Sequence, residues 1–239
     1  MAYFDLHSHI LFGLDDGSPD LETSLAMVEG LEALGFKHFC ATPHQKTGYF
    51  LPSWQDCHST FDSLKKEIHK RSPGLVFHLG AENMWDETLF ERMESDSIPG
   101  YDQGKAYLFE LPVQQKPPGL TEKLFSQRMS GALPVMAHPE RYMGLEYDDL
   151  VKLKNTCALV VDLGAVAGFH GKRQMKMARK LLKHNIAHAV ASDAHTVEDV
   201  TLAAKGMEWI DKKCDKNALD LLLTQNPQHI LAGNHPDDV

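Results

Sequence analysis

The chain has 239 residues, of which 43% are hydrophobic and 24% charged, and its 24 Lys+Arg against 33 Asp+Glu give a formal net charge of −9. These proportions exclude a disordered or fibrous chain, and the acid excess argues against a general binder of nucleic acid or anionic membrane. The 14 His beside that acid excess could supply a metal centre, so their positions decide what they mean. Residues 3–7 read as a first strand. Ser18-Pro19-Asp20 then signals a helix start, with Ser18 as cap and Pro19 at the first helical position, and Leu21, Leu25, Val28 and Leu31 form its apolar stripe. Residues 37–42 form a second strand, followed by a helix over 54–70, a third strand over 75–81 and a fourth over 106–111. A helix over 121–130, a fifth strand over 133–137, a helix over 147–154 and a sixth strand over 158–163 come next. The chain ends with a helix over 172–183, a seventh strand over 187–191 and two more helices after Thr196.

Strands that alternate with helices imply parallel pairing through right-handed crossovers. No G-x-G-x-x-G or P-loop follows the first strand, so an α/β barrel of seven strands fits better than a nucleotide-binding sheet. The expected fold is a distorted, TIM-like seven-stranded (β/α)7 barrel in a single domain, residues 1–232, with a polar C-terminal tail over 233–239. The beginning of the chain lacks the basic and apolar segments of a signal peptide, and no run reaches the ~18 apolar residues needed to span a bilayer. The four cysteines, Cys40, Cys57, Cys157 and Cys214, have neither zinc-ribbon nor C-x-x-C spacing. The residues six positions after them are Lys46, Ser63, Leu163 and Asp220, so the Cys-x5-Arg loop of cysteine-dependent phosphatases is absent. Buried thiols in a cytoplasmic protein, with no membrane insertion and no nucleic-acid partner, are the expectation.

In such barrels the active site lies at the C-terminal ends of the strands. Six of the seven predicted strand ends carry His, Asp or Glu: His7-Ser8-His9 with Asp15-Asp16 beyond, Thr42-Pro43-His44, Gly80-Ala81-Glu82, Glu110, His138-Pro139-Glu140-Arg141 and Ser192-Asp193-Ala194-His195. Residues two apart on a strand share a face, so His7 and His9 can reach the same mouth. Taking one of the Asp15–Asp16 pair, the candidates number nine, with His7, His9, His44, Glu82, Glu110, His138, Asp193 and His195 as the others. An ion takes roughly four to six such ligands, so nine point to two or three ions, and imidazole with carboxylate suits manganese, iron or zinc.

These motifs, in this order, resemble the polymerase and histidinol phosphatase (PHP) family. Asp5-Leu-His-Ser-His-Ile-Leu, Asp15-Asp16-Gly17, His138-Pro139-Glu140-Arg141-Tyr142 and Ser192-Asp193-Ala194-His195 look closest to its bacterial protein-tyrosine phosphatase branch of capsule and exopolysaccharide systems. The resemblance implies a metal cluster held by the nine residues, with Asp16 rather than Asp15 among them. It assigns phosphate binding to Arg141 and a part in catalysis to His44 and Asp193. The implied reaction is hydrolysis of phosphotyrosine on a protein, expected to be a bacterial tyrosine kinase, by hydroxide generated at the metals. Histidinol-phosphate hydrolysis, or another small-molecule phosphoesterase activity, is the alternative within the family, and a non-catalytic metal-binding scaffold the alternative outside it. Gln45 stands where the branch often repeats His, and Asp162-Leu-Gly-Ala departs from its usual sixth-strand sequence. Lys46, Tyr49 and Phe50 could line a substrate mouth but read better as a solvated loop, Asp162 reads as a satisfied core acid, and Asp5 shares a face with His7 and could support it; His170 and Lys172 follow the sixth strand and could face the rim, but no role is assigned to them.

Overall fold

The structure, a computed structural model, describes residues 2–239. Strand β1 (Tyr3–Ser8) leads to helix α1 (Leu21–Ala33), and β2 (Phe36–Ala41) and β3 (His44–Gln45) lead to α2 (Trp54–Arg71). β4 (Val76–Leu79) and β5 (Glu82–Met84) precede α3 (Glu87–Glu94), and β6 (Ala106–Glu110) precedes α4 (Leu120–Met129). β7 (Leu133–Ala137) runs into a tight turn, Pro139–Arg141, and then α5 (Tyr147–Leu153). β8 (Ala158–Asp162) is followed by α6 (Leu163–Ala167) and α7 (Lys172–Lys183), and β9 (Ala189–Ala191) by α8 (Val197–Lys213).

All strand pairs are parallel, but they do not form one closed seven-stranded sheet. Among the described residues they make a three-stranded sheet, β1-β2-β4, and a six-stranded one, β3-β5-β6-β7-β8-β9. The cause is local. The second and third expected strands each break, at Thr42-Pro43 and at Gly80-Ala81, and resume in the other sheet. Pro43 has no N–H to donate to a ladder. Gly80 passes so close to the Tyr101 ring that an added Cβ would sit 3.0 Å from it. Among the described residues the sheets meet at one bridge, Ser8 to Ala194, flanked by backbone bonds from Asp193 N to His7 O (3.0 Å) and from His9 N to Ala194 O (2.9 Å).

Both faces of the six-stranded sheet are buried, which is why its strands read as continuous apolar runs. On β6, Ala106 and Leu108 join an inner cluster with Val135, Val160 and Ala189, while Tyr107 and Phe109 face the helices. The two-residue period then carries Glu110 to the inner side, and on β8 it carries Asp162 there after Ala158 and Val160. Helix α1 starts later than the Ser18-Pro19 signal: Asp20 is its cap, accepting from Thr23 N at 2.8 Å, and Ser18 is buried beneath it. Helix α6 takes over at Leu163, the last residue of the expected sixth strand, begun by Asp162 accepting from Gly164 N. Among the described residues no helix is long and apolar enough to cross a membrane, and all four cysteines are free thiols.

At the N-terminal ends of the strands, the closing residues fold back onto the body. His235 is buried against His188, and Asp237 meets Lys154 Nζ at 3.1 Å and His188 Nε2 at 3.4 Å. His188, His235 and Asp237 are close enough to suggest a metal site, but their hydrogen bonds argue otherwise. Leu159 N donates to His188 Nδ1 (2.9 Å) and Asp237 N to His235 Nδ1 (3.2 Å), so each neutral ring keeps its proton on Nε2, the atom a metal would need. Burial lowers the His188 imidazole from 6.5 to about 4. The unfolded chain therefore takes up this proton before the folded one does. Stability present above pH 6.5 is lost as the pH falls toward 4, by on the order of 3 kcal/mol. Urea midpoints at pH 7 and pH 4.5 should fall further for the wild type than for His188→Asn, whose amide oxygen still accepts from Leu159. Parallel losses would rule this account out.

Candidate metal centre

The C-terminal strand ends bring all nine sequence-selected residues to one place. His44 and Glu82 are register partners on β3 and β5, so their side chains share a face, and Glu110 follows on β6 beside Met84. His138 and Asp193 leave their strands with φ of +33° and +48°. This left-handed backbone is unusual for residues with a Cβ and re-aims each side chain across the strand ends.

Glu82 is the hub. Its Oε1 lies 2.7 Å from His138 Nε2 and 3.3 Å from His7 Nε2, and its Oε2 lies 2.8 Å from His44 Nδ1 and 3.5 Å from His9 Nε2. Asp193 Oδ1 is 3.0 Å from His7 Nε2 and 3.5 Å from His9 Nε2. Asp16 Oδ1 faces His44 Nε2 at 3.4 Å and His195 Nε2 at 3.7 Å. Four overlapping sets result, each with its donor atoms within 4.8 Å of one another: His9, Asp16, His44 and His195; His7, His9 and Glu82; His7, His138 and Asp193; and His44, Glu82 and Glu110.

A second layer holds three of these rings. His7 Nδ1 pairs with Thr42 Oγ1 (2.7 Å), His9 Nδ1 donates to Asp15 Oδ2 (2.8 Å), and His195 Nδ1 donates to Asp193 O (2.9 Å). Occupying Nδ1 leaves Nε2 for the centre, as histidine ligands of metals are commonly arranged. Asp15 therefore backs the site while Asp16 faces it, and Asp15 also accepts from His44 N and Gly17 N. Gly17 is required sterically, because an added Cβ would lie 2.3 Å from His9 O and 2.4 Å from His9 Cβ.

Electrostatics show the same strain for positive charge. Burial alone would lower the His7 imidazole, yet Glu82 and Asp193 outweigh it and raise it to about 9; His9 is raised as well, by Asp15 against the same burial. Burial and the Glu82 charge push the Glu110 carboxyl up to about 7. Against burial, Arg141 and His7 hold Asp193 well below the usual carboxylate range. Meanwhile His7 Nε2, His9 Nε2, His44 Nδ1, Glu82 Oε2, Glu110 Oε1 and Asp193 Oδ1 are all buried and, although they approach one another to between 2.8 and 3.5 Å, none makes a hydrogen bond of sound geometry among the described residues. Buried polar atoms are nearly always paired, so six orphans converging on one point fit cations coordinated there.

Beside this centre lies a cavity of about 320 Å³ lined by Arg141, Asp162, Phe169, His170, Asp193 and His195. Arg141 Nη2 contacts Asp193 Oδ2, Asp162 Oδ2 (2.8 Å) and His170 Nε2 (2.8 Å), and His170 Nε2 meets Asp162 Oδ2 at 2.7 Å. Asp162 is thus a satisfied acid, but its partners, Arg141 and His170, line the cavity, and His170 joins the site without any strand-end motif to announce it. Glu140 lies fully buried behind them, its carboxyl held well above its usual range by burial and by Asp162. Asp5 supports the site at one remove. Buried and raised to about 6 by that burial, it accepts from Ser192 N (2.9 Å) and Ser192 Oγ (2.6 Å) and so fixes the segment that carries Asp193. Gln45 turns away from the centre to accept from Arg92 (2.8 Å). Lys46, expected in a solvated loop, instead reaches within 3.6 Å of Glu110 Oε1, and Phe50 stacks on the His44 ring.

The model of the family described as "Capsular polysaccharide synthesis, CpsB/CapC" matches residues 3–232. The chain is 28% identical over 245 residues to the tyrosine-protein phosphatase CpsB of Streptococcus agalactiae, covering 97% of this chain and 99% of that protein. It is 26% identical over 230 residues to the tyrosine-protein phosphatase YwqE of Bacillus subtilis, covering 95% and 91% respectively. A solved structure from work on YwqE of Bacillus subtilis and CpsB of Streptococcus pneumoniae, described as unique metal-dependent tyrosine phosphatases, superposes with a TM-score of 0.86 at 25% identity, covering 97% of this chain and 95% of that one. With a match spanning nearly its whole length, the chain belongs to the CpsB/CapC capsular polysaccharide synthesis family.

Proposed function

We propose that this protein is a metal-dependent phosphatase that hydrolyses phosphotyrosine on a protein substrate, a bacterial tyrosine kinase of polysaccharide synthesis or export. The observation that carries the reading is the set of six orphaned donor atoms opening onto an arginine-lined cavity. Two or three divalent ions, of manganese, iron or zinc, would be held by His7, His9, Asp16, His44, Glu82, Glu110, His138, Asp193 and His195. When bound, they supply Lewis acidity, polarising the phosphoryl group and making hydroxide available near neutral pH.

The protein's own residues do the rest. Arg141 offers its charge and its remaining Nη1 donors to the non-bridging phosphate oxygens, its Nη2 being held by Asp162 and Asp193. Phe169, 62% exposed at the cavity wall, offers an apolar face to an aromatic ring. Arg141 and Asp162 both engage His170 Nε2, leaving Nδ1 as the ring nitrogen free to face the departing phenolate.

The reading is tested by metal analysis of the purified protein with a substrate panel of phosphotyrosyl peptide, phosphoseryl peptide, histidinol phosphate and single-stranded DNA. Phosphotyrosyl peptide should be preferred by at least about tenfold. Chelation should abolish turnover and added divalent ion restore it. Better turnover of histidinol phosphate, or activity that survives chelation, would overturn the proposal.

A further inference from the structure

Nothing in the metal centre accounts for helix α7. It carries Lys172, Arg173, Lys176, Arg179, Lys180 and Lys183 and no carboxylate, in a protein of formal charge −9. The ion pairs among the described residues all use other Lys and Arg side chains. Arg173 and Arg179 are partly buried and donate to the carbonyls of Tyr142 and Val166. Lys172, Lys176, Lys180 and Lys183 are exposed, and their spacing places them along one helical stripe. An acidic protein that leaves its densest run of cations unpaired keeps a positive surface for something negative.

Lys172, Lys176 and Lys180 line a shallow groove of about 490 Å³ together with Glu146 and Tyr147. Glu146 is spent capping α5, and Lys180 lies over the Tyr147 ring at 3.5 Å. The helix itself starts beside the cavity of the metal centre: Phe169 and His170 line that cavity just before α7 begins, and Arg173 reaches the carbonyl of the residue after Arg141. From Lys172 to Lys183 the helix rises about 16 Å, the length of roughly five residues of extended peptide.

We propose that α7 is a docking rail for an acidic stretch flanking the phosphotyrosine of the substrate protein. This rests on the phosphatase reading. A groove seats a single extended chain, whereas a bilayer would lie across its rim, so an acidic peptide is favoured over an anionic membrane.

Two phosphotyrosyl peptides flanked by five Glu or five Gln separate the possibilities. The wild type should favour the Glu peptide by about tenfold in kcat/KM, mainly through KM, and lose that preference in about 0.5 M salt. The double variant K176E/K180E should lose the preference while hydrolysing free phosphotyrosine at the wild-type rate. A fluorescein-labelled, unphosphorylated Glu peptide provides a binding readout by anisotropy that needs no turnover. It should bind the wild type and not the variant. If the wild type hydrolyses no aryl phosphate but binds this peptide, the phosphatase reading fails and the docking surface stands. Equal kcat/KM for the two peptides, equal loss on free phosphotyrosine, or K176/K180-dependent binding to phosphatidylserine vesicles without peptide binding would each overturn the proposal.

Discussion

Glu82→Gln should strip the protein of bound metal and lower turnover of a phosphotyrosyl peptide by at least about 10³-fold, with the fold retained. Glu82 lies within 3.5 Å of ring nitrogens from His7, His9, His44 and His138, so one carboxylate organises four of the five site histidines. Glutamine preserves its shape but removes the charge, and it turns an N–H group toward lone pairs meant for a cation. Losing one charged ligand from a shared site removes both affinity for the ion and the electrostatic stabilisation the ion provides. The variant should keep its circular dichroism spectrum, because the inner cluster of Leu108, Val135 and Val160 is untouched. Metal content by mass spectrometry and single-substrate kinetics decide the matter. A fully metallated and active variant would remove Glu82 from the centre.

Arg141 should divide into two effects. Arg141→Lys keeps a cation near Asp162 and Asp193 but loses the spread of donors that can hold these acids and a phosphate at once, so kcat/KM should fall by about 10²–10³ with little change in stability. Arg141→Ala should lose at least as much activity and also destabilise the metal-free protein by about 3 kcal/mol. It leaves the buried carboxylates of Asp162 and Asp193 without their main counter-charge. Urea unfolding of both variants alongside peptide kinetics separates the roles. Equal stability of the Ala variant and the wild type would mean that these acids do not depend on Arg141.

Most of the strand order could be read from the sequence because the strands are buried on both faces and appear as short apolar runs between helical stripes. The nine strand-end residues were accessible for the same reason: a polar group closing an apolar strand is conspicuous. The two-sheet arrangement was not, since it depends on whether strands bend at Pro43 and Gly80, and apolar periodicity carries no sign of that. His170 was missed because it sits in a loop held by two left-handed glycines, Gly168 and Gly171, where no period points to a face. The reach of Lys46 to Glu110 is likewise set by the fold of the loop that Phe50 anchors, which no period in the sequence carries. Asp15 and Asp16 could be told apart only through family resemblance. In the structure the difference is which of two adjacent side chains turns inward.

The matched breaks in neighbouring strands set a rule about length. Ala41 pairs with Leu79 before the break and His44 with Glu82 after it, so each chain spends the same two residues crossing between sheets. Deleting one residue from 42–43 alone would slide His44 past Glu82 and turn its ring away from the others, and deleting one from 80–81 alone would do the same to Glu82. Deleting one from both would restore the pairing. These two short spacers, far apart along the chain, therefore form a single unit of inheritance: related sequences should lengthen or shorten them together, or leave both unchanged.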